Sequence, residues 1–345
     1  MHISEFDYEL PPELIAQEPL AERGASRMLV VDRQKRHWTD AQFSGLFDFL
    51  RPHDLLVLNN TRVFPARLQG VRDPTGGTVE VLLVQEIEPL LWEAVVRPGA
   101  RLKLGARIRF GASELRAQVV DFAMGGARVL RFECDGSLDQ ILDQIGETPL
   151  PHYIKRPVGA TPSDRERYQT VYARNKGAIA APTAGLHFTQ NDLGQLQARG
   201  IKIAELTLHV GYGTFAPVRV ENVDEHHVGP ERLEINVEAA ATINEARSRG
   251  GRVIAVGTTT TRALESAVNP AGQIEPGSSR TELTVIPGYE FRAVDALITN
   301  FHLPRSSLLL LVCAFASRDL VLAAYRHAVA TKYRFYSYGD CMLII

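Results

Sequence analysis

Residues 66–97 read ARLQGVRDPTGGTVEVLLVQEIEPLLWEAVVR, and within this stretch three β-like runs are separated by turns rich in Gly and Pro. The runs ARLQGV, TVEVLLVQEI and LWEAVV have the branched and alternating residues that are typical of strands. Three more runs of the same kind, ARIRF, LRAQVV and ARVLRFE, follow before residue 134. Because no helix-like pattern lies between these six runs, the segment predicts a small antiparallel six-stranded β-barrel.

On either side of this segment, apolar β-like runs alternate with helix-like stretches. The β-like runs include RMLVVD, DLLVLNN, AIAA, KIAELTLHV, RVIAV and DALITNF; the helix-like stretches include residues 41–50, EAAATINEARSRGG and RSSLLLLVCAFAS. This alternation is typical of layered α/β domains. We therefore expect a three-layer α/β/α main domain with a largely parallel sheet, formed by residues 1–62 and 149–345. The β-barrel domain would be inserted as residues 63–148.

Composition limits the class of protein. The chain has 345 residues, of which 45% are hydrophobic, so it can form more than one core. Cys134, Cys313 and Cys341 lie too far apart for a paired metal or redox motif, which favours a reducing compartment. The longest apolar run, residues 308–316, is much shorter than the ~20 residues that cross a bilayer, and the N-terminus has no signal-peptide pattern. We expect a cytoplasmic protein that does not contact a membrane.

The formal net charge is only -2, but two segments are basic. Residues 97–131 contain eight basic side chains and two acidic ones, and residues 151–176 contain six basic and two acidic ones. Such faces are either simply solvated or bind a polyanion such as RNA. The basic residues that we expect to contact an RNA backbone are Arg101, Lys103, Arg107 and Arg109 in the first segment and Lys155, Arg156, Arg165 and Arg167 in the second.

Polar residues follow several of the predicted strands, where ligands of layered α/β sheets bind. Three histidines occupy such places, in APTAGLHFT, LHVGYG and LITNFHL, and are candidates for proton transfer. They are His187, His209 and His302, and their neighbours Thr183, Gly185, Phe188, Gly211, Tyr212, Gly213 and Asn300 are candidates for substrate contact. A single histidine in such a loop is more often structural, so the prediction depends on convergence of the three loops.

Three further stretches complete the candidate site. In VGTTTTR, Thr258, Thr259, Thr260, Thr261 and Arg262 open a helix, whose N-H groups favour an anion. Simple N-capping by threonine explains the same pattern. The other two stretches are LNNTR, with Asn60, Thr61 and Arg62, and YRFYSYGD, with Tyr336 and Asp340. No G-x-G-x-x-G or Walker pattern follows a strand, so a dinucleotide site of the common type is not expected.

These stretches, taken in order with DYELPPELIAQEPLAERGASRMLVVDR, LPHYIKR and DRERYQTVYA, make the chain similar from end to end to the S-adenosylmethionine:tRNA ribosyltransferase-isomerases of queuosine biosynthesis, the QueA family. The resemblance implies an enzyme that transfers the ribosyl part of S-adenosylmethionine to the aminomethyl group of 7-aminomethyl-7-deazaguanine in tRNA. Epoxyqueuosine-tRNA forms, and adenine and methionine are released. S-adenosylmethionine is consumed as a substrate, and no metal or cofactor is implied; we expect a monomer.

The sulfonium of S-adenosylmethionine makes the neighbouring C5′ proton acidic, so a neutral base could start the reaction, and the departing adenine needs a proton. We favour His187 as the base, with His209 and His302 as positioning or proton-donating groups and Asp340 as an alternative base. Residues 258–261, which we call the threonine turn, would hold the methionine carboxylate. Aromatic residues would surround the adenine and the sulfonium.

Two other functions remain open at this point. An S-adenosylmethionine-dependent RNA methyltransferase would use both substrates, but the glycine-rich loop of the common methyltransferase fold is missing. A catalytically silent RNA-binding protein would use the barrel as an oligonucleotide platform, which leaves the polar strand-end loops without a role.

Overall fold

The computed structural model describes residues 1–111, 114–157, 159–211 and 218–345. It contains a nine-stranded mixed sheet, a closed six-stranded barrel and a separate two-stranded sheet. The strands are β1 (Arg27–Asp32), β2 (His37–Gln42), β3 (Leu55–Asn59), β4 (Thr61–Val63), β5 (Arg67–Asp73), β6 (Thr78–Glu88), β7 (Leu91–Arg97), β8 (Arg107–Arg109), β9 (Arg116–Phe122), β10 (Arg128–Glu133), β11 (Asn175–Ala178), β12 (Lys202–His209), β13 (Glu231–Ile235), β14 (Val253–Val256), β15 (Gly277–Thr281), β16 (Ala296–Asn300) and β17 (Cys341–Ile344). The α-helices are α1 (Leu138–Ile145), α2 (Pro162–Arg167), α3 (Gln190–Ala198), α4 (Val237–Ser248), α5 (Thr258–Ala267), α6 (Ser307–Ala316) and α7 (Arg318–Ala330).

The predicted barrel is confirmed, and all six of its strands lie where the sequence runs placed them. The ring closes in the order β10-β7-β6-β5-β8-β9, and every neighbouring pair is antiparallel. Period-two alternation sends Val79, Val81 and Leu83 of β6 into the barrel core and leaves Glu80 on its outer surface. The domain limits at residues 63 and 148 stay a prediction.

The large sheet has the order β15-β13-β12-β3-β14-β16-β17-β1-β2. Its four central strands, β12, β3, β14 and β16, are parallel. The expectation of a largely parallel sheet is nevertheless wrong, because β13, β15, β17 and β2 each pair antiparallel with a neighbour. Two consecutive helices, α6 and α7, return the chain to the end of the sheet where β16 finished, so β17 enters in the opposite direction.

Helices cover both faces of this sheet, which confirms the three-layer arrangement. Leu55 and Val57 of β3 pack in the core with α4, α5, α6 and α7. Leu56 and Leu58 point to the opposite core, where Leu196 of α3 packs. Strands buried on both faces are near-continuous apolar runs, as DLLVLNN is.

Two local predictions are wrong. The run AIAA is a strand only at its first residue, where β11 ends and pairs with β4 outside the large sheet. Pro182 lacks an N-H, and the chain then forms a 3-10 helix over Thr183–His187. Residues 41–50 contain the end of β2 and a 3-10 helix over Phe43–Phe49 instead of an α-helix. Its two buried residues, Phe43 and Leu46, are three positions apart and so share a face of a 3-10 helix.

Within the described ranges, no single helix is both long and apolar enough to cross a membrane. The consecutive helices α6 and α7 reach the required length and composition only together, and they are bent by 115° relative to each other.

Candidate active site

Two asparagines at the end of β3 join neighbouring strands. Asn59 Nδ2 donates to the Leu208 carbonyl at 2.9 Å, and the Leu208 amide donates to Asn59 Oδ1 at 3.0 Å, which ties β3 to β12. Asn60 Oδ1 accepts from Thr207 Oγ1 at 2.7 Å, and Asn60 Nδ2 donates to the Glu205 carboxylate at 3.0 Å. The side chain of Asn60, a predicted substrate contact, is therefore engaged within the sheet.

His209 ends β12 and is half-buried, whereas the other two candidate histidines are buried. Its Nδ1 lies 2.8 Å from Thr61 Oγ1, and its ring packs against Gly177, where a Cβ would lie 2.7 Å from the ring. Burial, with a smaller effect from Arg232, lowers the pKa of His209 to about 4, so the ring is neutral at pH 7. No described residue hydrogen-bonds its Nε2. In the tautomer that donates Nδ1-H to Thr61, Nε2 is a free proton acceptor.

His187 lies in a buried hydrogen-bond network. Its Nδ1 is 2.7 Å from Ser26 Oγ, and its Nε2 is 3.3 Å from Asn300 Oδ1. Asn300 Nδ2 donates to the Tyr336 carbonyl at 2.8 Å, which orients the amide oxygen toward the imidazole. Burial lowers the pKa of His187 to about 4. Because both ring nitrogens already have partners, a proton could leave or enter this ring only through Ser26 or after a rearrangement.

His302 is held from three directions. Its Nε2 is 2.8 Å from Thr299 Oγ1, its backbone N-H donates to Tyr325 Oη at 3.1 Å, and its carbonyl accepts from Tyr8 Oη. Burial lowers the pKa of its imidazole to about 3. These contacts anchor the loop after β16, while Nδ1 has no hydrogen bond among the described residues, so a role in proton transfer stays a prediction.

No hydrogen bond joins the three histidines to one another among the described residues, so their convergence on one ligand stays a prediction. Thr299 and Asn300 are consecutive in β16 and point to opposite faces of the sheet, which separates His302 from His187. His209 is the last residue of β12, three strand positions away from β16 in the sheet order. At about 4.8 Å per strand, that separation is about 14 Å.

The threonine turn is only partly available to a ligand. Thr260 Oγ1 donates to the Val256 carbonyl at 2.7 Å, and Thr261 Oγ1 donates to the Gly257 carbonyl at 3.1 Å, so both hydroxyls are used inside the helix. No described side chain caps the start of α5, where Thr258 and Thr259 lie. The free N-H groups of this first turn remain a site for an anion.

Arg262 is partly engaged within the fold, while its Nη2 has no hydrogen-bond partner among the described residues, so its role in substrate binding stays a prediction. Its guanidinium is buried and pairs with the Glu231 carboxylate, while its Nε donates to the Leu283 carbonyl at 2.9 Å. The other oxygen of Glu231 accepts from the Gly211 amide at 2.9 Å. Arg262 therefore holds the loop after β12 in place through Glu231.

The carboxylate of Asp340 is held by backbone amides of two other segments. Its two carboxylate oxygens accept from the backbone amides of Arg27, at 2.9 Å, and Arg334, at 2.8 Å. Burial raises its pKa. Tyr336, nearby, has a positive φ of 75°, and its ring contacts Tyr153 with centroids 3.9 Å apart. Asp340 thus fixes the loop before β17, and its predicted role as an alternative base stays a prediction.

The remaining predicted contacts fall into three groups. Gly185 and Phe188 are packing residues: a Cβ on Gly185 would lie 2.0 Å from the hydroxyl of Tyr172, and Phe188 is fully buried. Thr183 is partly exposed at the start of the 3-10 helix, and Arg62 is exposed in β4. Tyr212 and Gly213 lie outside the described residues.

A cavity of about 420 Å³ lies between the outer surface of β5, β6 and β7 and the main domain. Ligand pockets typically have volumes of about 300–1,000 Å³. The polar residues that line the cavity are Arg67, Glu80, Arg97, His152 and Arg219; its other lining residues include Leu82, Val95, Leu150, Ile179, Ala180 and Gly211. Gly211, the first residue of the Gly-Tyr-Gly turn, is therefore part of this wall.

Sequence reasoning identified only Gly211 among these lining residues. Arg67, Glu80 and Arg97 occupy outward positions of barrel strands and look like ordinary solvent-facing residues. The one available signal was that charged residues on three successive strands share the outer surface of the barrel. Nothing in the local sequence shows that this wall packs against the main domain.

The four predicted RNA contacts in the barrel are all exposed, and we call Arg101, Lys103, Arg107 and Arg109 the barrel basic set. Arg109 pairs across the strands with Arg116, which extends the positive surface onto β9. In the closed ring, β8 and β9 lie in the half opposite to β5, β6 and β7. The part of the basic set on β8 therefore faces away from the cavity.

The four basic residues that we predicted as RNA contacts in the segment 151–176 have two kinds of environment. Lys155 and Arg165 are exposed, although Arg165 also contacts Asp143. Arg156 is paired with the buried Asp164 carboxylate at 2.8 Å, and Arg167 donates to the Leu20 carbonyl at 2.7 Å and to the Ala21 carbonyl. These two guanidiniums stabilise the fold, so the prediction that they bind RNA is not supported by their geometry.

Considering only the described residues, no group of His, Cys, Asp and Glu side chains is arranged to hold a metal ion. A two-part α/β protein with an inserted barrel and a polar cavity between the two parts is the class that this fold defines.

Comparison with known proteins makes the assignment more specific. A family model described as queuosine biosynthesis protein matches residues 3–344. The chain is 52% identical to the S-adenosylmethionine:tRNA ribosyltransferase-isomerase of Moorella thermoacetica and 50% identical to that of Halothermothrix orenii, with 100% of both chains covered in each comparison. A crystal structure of an S-adenosylmethionine tRNA ribosyltransferase from Thermotoga maritima is 37% identical, with a TM-score of 0.57 over 99% of this chain and 100% of that one. The chain belongs to the queuosine biosynthesis protein family, as its motifs predicted.

Proposed function

We propose that this protein is an S-adenosylmethionine:tRNA ribosyltransferase-isomerase. It transfers the ribosyl group of S-adenosylmethionine to the aminomethyl group of 7-aminomethyl-7-deazaguanine in tRNA, forms epoxyqueuosine-tRNA, and releases adenine and methionine. The observation that carries this proposal is the similarity, at about 50% identity and over the whole length of both chains, to relatives that bear this name. A cavity of ligand size between the two domains is consistent with it.

Of the histidines that we predicted as acid-base groups, His209 has the geometry that fits a general base best. It is neutral at pH 7, Thr61 holds its Nδ1, and its Nε2 is free among the described residues. In this proposal Nε2 takes the C5′ proton of S-adenosylmethionine, and the resulting imidazolium returns a proton to the departing adenine. His187, His302 and Asp340 position the surrounding loops.

Substrate binding is divided among several elements in this proposal. The uncapped first turn of α5, with Thr258 and Thr259, binds the methionine carboxylate. Tyr212, Gly213 and Tyr336 contact the adenosine part. The barrel basic set, with Lys155 and Arg165, contacts tRNA phosphates. The protein acts as a monomer in the cytoplasm and needs no metal or cofactor.

The test is a reaction of the purified protein with S-adenosylmethionine and tRNA that carries 7-aminomethyl-7-deazaguanine. Mass analysis should find epoxyqueuosine in the tRNA, and adenine and methionine in solution. S-adenosylhomocysteine with a methylated nucleoside would indicate a methyltransferase. Binding of tRNA without any product would indicate a silent RNA-binding protein.

A further inference from the structure

We propose that the cavity between the barrel and the main domain is the subsite for the target nucleotide of tRNA, and that Glu80 recognises the protonated aminomethyl group of its base. This inference rests on the proposed function and deepens it, because it assigns one of the two substrates to a defined place. The target base sits in a tRNA loop, where proteins read bases that are unstacked and turned outward.

The apolar part of the cavity lining suits a flat base. Leu82 and Val95 come from the outer wall of the barrel, and Ile179 and Ala180 come from the segment after β11. Apolar surfaces on two sides let a heteroaromatic ring lie between them and exclude water from its faces. Pro149 and Pro151 of the connecting segment add rigid apolar surface.

The charges of the cavity favour the nucleotide over S-adenosylmethionine. Three guanidiniums, from Arg67, Arg97 and Arg219, and one carboxylate, from Glu80, line it. A nucleotide within a tRNA has one phosphate on each side, and this base adds one ammonium group, so its charges are opposite to those of the lining. S-adenosylmethionine carries a sulfonium and an ammonium against a single carboxylate, so a site with an excess of guanidiniums repels it.

Arg67 has a donor that still needs an acceptor. Its Nη2 donates to the Leu150 carbonyl at 3.0 Å, which orients the guanidinium, while its Nε is buried and has no partner among the described residues. Its backbone is fixed by two hydrogen bonds with Glu147. Leaving a charged donor without an acceptor in a buried place costs free energy. Since this Nε has almost no accessible surface, a phosphate in the cavity would interact with Arg67 through the positive charge of its guanidinium.

The position of Glu80 suits a hydrogen bond from the protonated aminomethyl group to its carboxylate. It lies directly opposite Arg97 in the ladder between β6 and β7, so both side chains share the outer wall. No ion pair joins Glu80 to any described residue, so its carboxylate is available to a cationic group. A charge-assisted hydrogen bond from an ammonium to this carboxylate would distinguish the aminomethyl base from unmodified guanine.

The experiment measures the affinity for two tRNAs that differ only in the target base, 7-aminomethyl-7-deazaguanine or guanine, at one fixed salt concentration. Wild type should prefer the aminomethyl tRNA by about 10- to 100-fold, the value of one charge-assisted hydrogen bond. Glu80→Gln should lose most of this preference while its affinity for S-adenosylmethionine stays unchanged. Glu86→Gln removes an exposed carboxylate from the same strand, away from the cavity, and should behave as wild type.

A Glu80→Gln protein that keeps the wild-type preference overturns the proposal. So does a variant that loses affinity for S-adenosylmethionine while keeping the tRNA preference, because the cavity would then belong to that substrate. Turnover of the wild-type protein is measured in parallel. If wild type makes no product, the proposed function fails, whereas loss of the preference in Glu80→Gln alone would still identify the subsite.

Discussion

His209→Asn is expected to lower turnover by about 100- to 10,000-fold, the range that a general base contributes. Asparagine can keep a hydrogen bond to Thr61 near the Nδ1 position, but it has no atom in the position of Nε2. The variant therefore removes the proposed proton acceptor with little disturbance of the loop. The assay is adenine release in a single turnover with saturating S-adenosylmethionine and aminomethyl tRNA, and the affinities for both substrates should stay close to wild type.

Thr61→Val also tests the assignment of His209 as the base, with a smaller expected loss of turnover. A neutral hydrogen bond contributes about 0.5–1.5 kcal/mol, so the loss of the contact to Nδ1 should slow turnover by about 2- to 12-fold. Because burial lowers the pKa of His209 to about 4, the base is already neutral at pH 5 and above. Turnover should therefore show no rise from titration of His209 between pH 6 and 8.

Near-full turnover by His209→Asn would refute this assignment, and so would a larger loss in His187→Asn. A rise in wild-type turnover centred near pH 6.5 that disappears in His209→Asn would show that burial does not depress the pKa of this imidazole. If His209→Asn instead keeps near-full turnover, the role of the base passes to another group, with His187 acting through Ser26 as the first candidate.

Three further outcomes are expected. His187→Asn should lower the free energy of unfolding by about 1–3 kcal/mol, measured in urea, because Ser26 and Asn300 lose buried partners, while turnover changes less than in His209→Asn. For Asp164, burial alone would raise the pKa, but hydrogen bonds from Arg156 and Thr161 outweigh it and lower the pKa to about 2. This carboxylate therefore stabilises the fold by about 2 kcal/mol above pH 4, and the contribution is lost as pH falls from about 4 to 2. Asp164→Asn should lower the free energy of unfolding at pH 7 by at least that amount and flatten its acid dependence. Reversal of the barrel basic set to glutamate should weaken tRNA binding and reduce its salt dependence, without changing the affinity for S-adenosylmethionine. Unchanged tRNA affinity in that variant would show that the set is only a solvated surface.

Local patterns were sufficient to predict the barrel and most of the large sheet. Alternation in runs such as TVEVLLVQEI indicates a strand with one solvent-exposed face and one buried face. The continuous apolar run in DLLVLNN indicates a strand that is buried on both faces. The direction of β17 was not predictable in this way. It depends on how α6 and α7 return the chain, which is a tertiary relation that short sequence windows do not contain.

The candidate site was likewise predictable from local sequence only in part. The sequence placed His209 correctly at the end of a strand, and it located the threonine turn at the start of α5. It did not show that the partners of His187, Ser26 and Asn300, come from elements far apart in the chain. The cavity wall that includes Glu80 was missed because its role arises only when the barrel packs on the main domain.

The most direct test of the account follows the carbon atoms of S-adenosylmethionine. The protein is incubated with aminomethyl tRNA and with S-adenosylmethionine labelled with ¹³C either in the ribose or in the methyl group, and the digested nucleosides are analysed by mass spectrometry. The account predicts that the ribose label appears in the modified nucleoside and that the methyl label leaves with methionine. Methyl label in the tRNA, or no ribose label in it, would contradict the central claim that this chain transfers the ribosyl group.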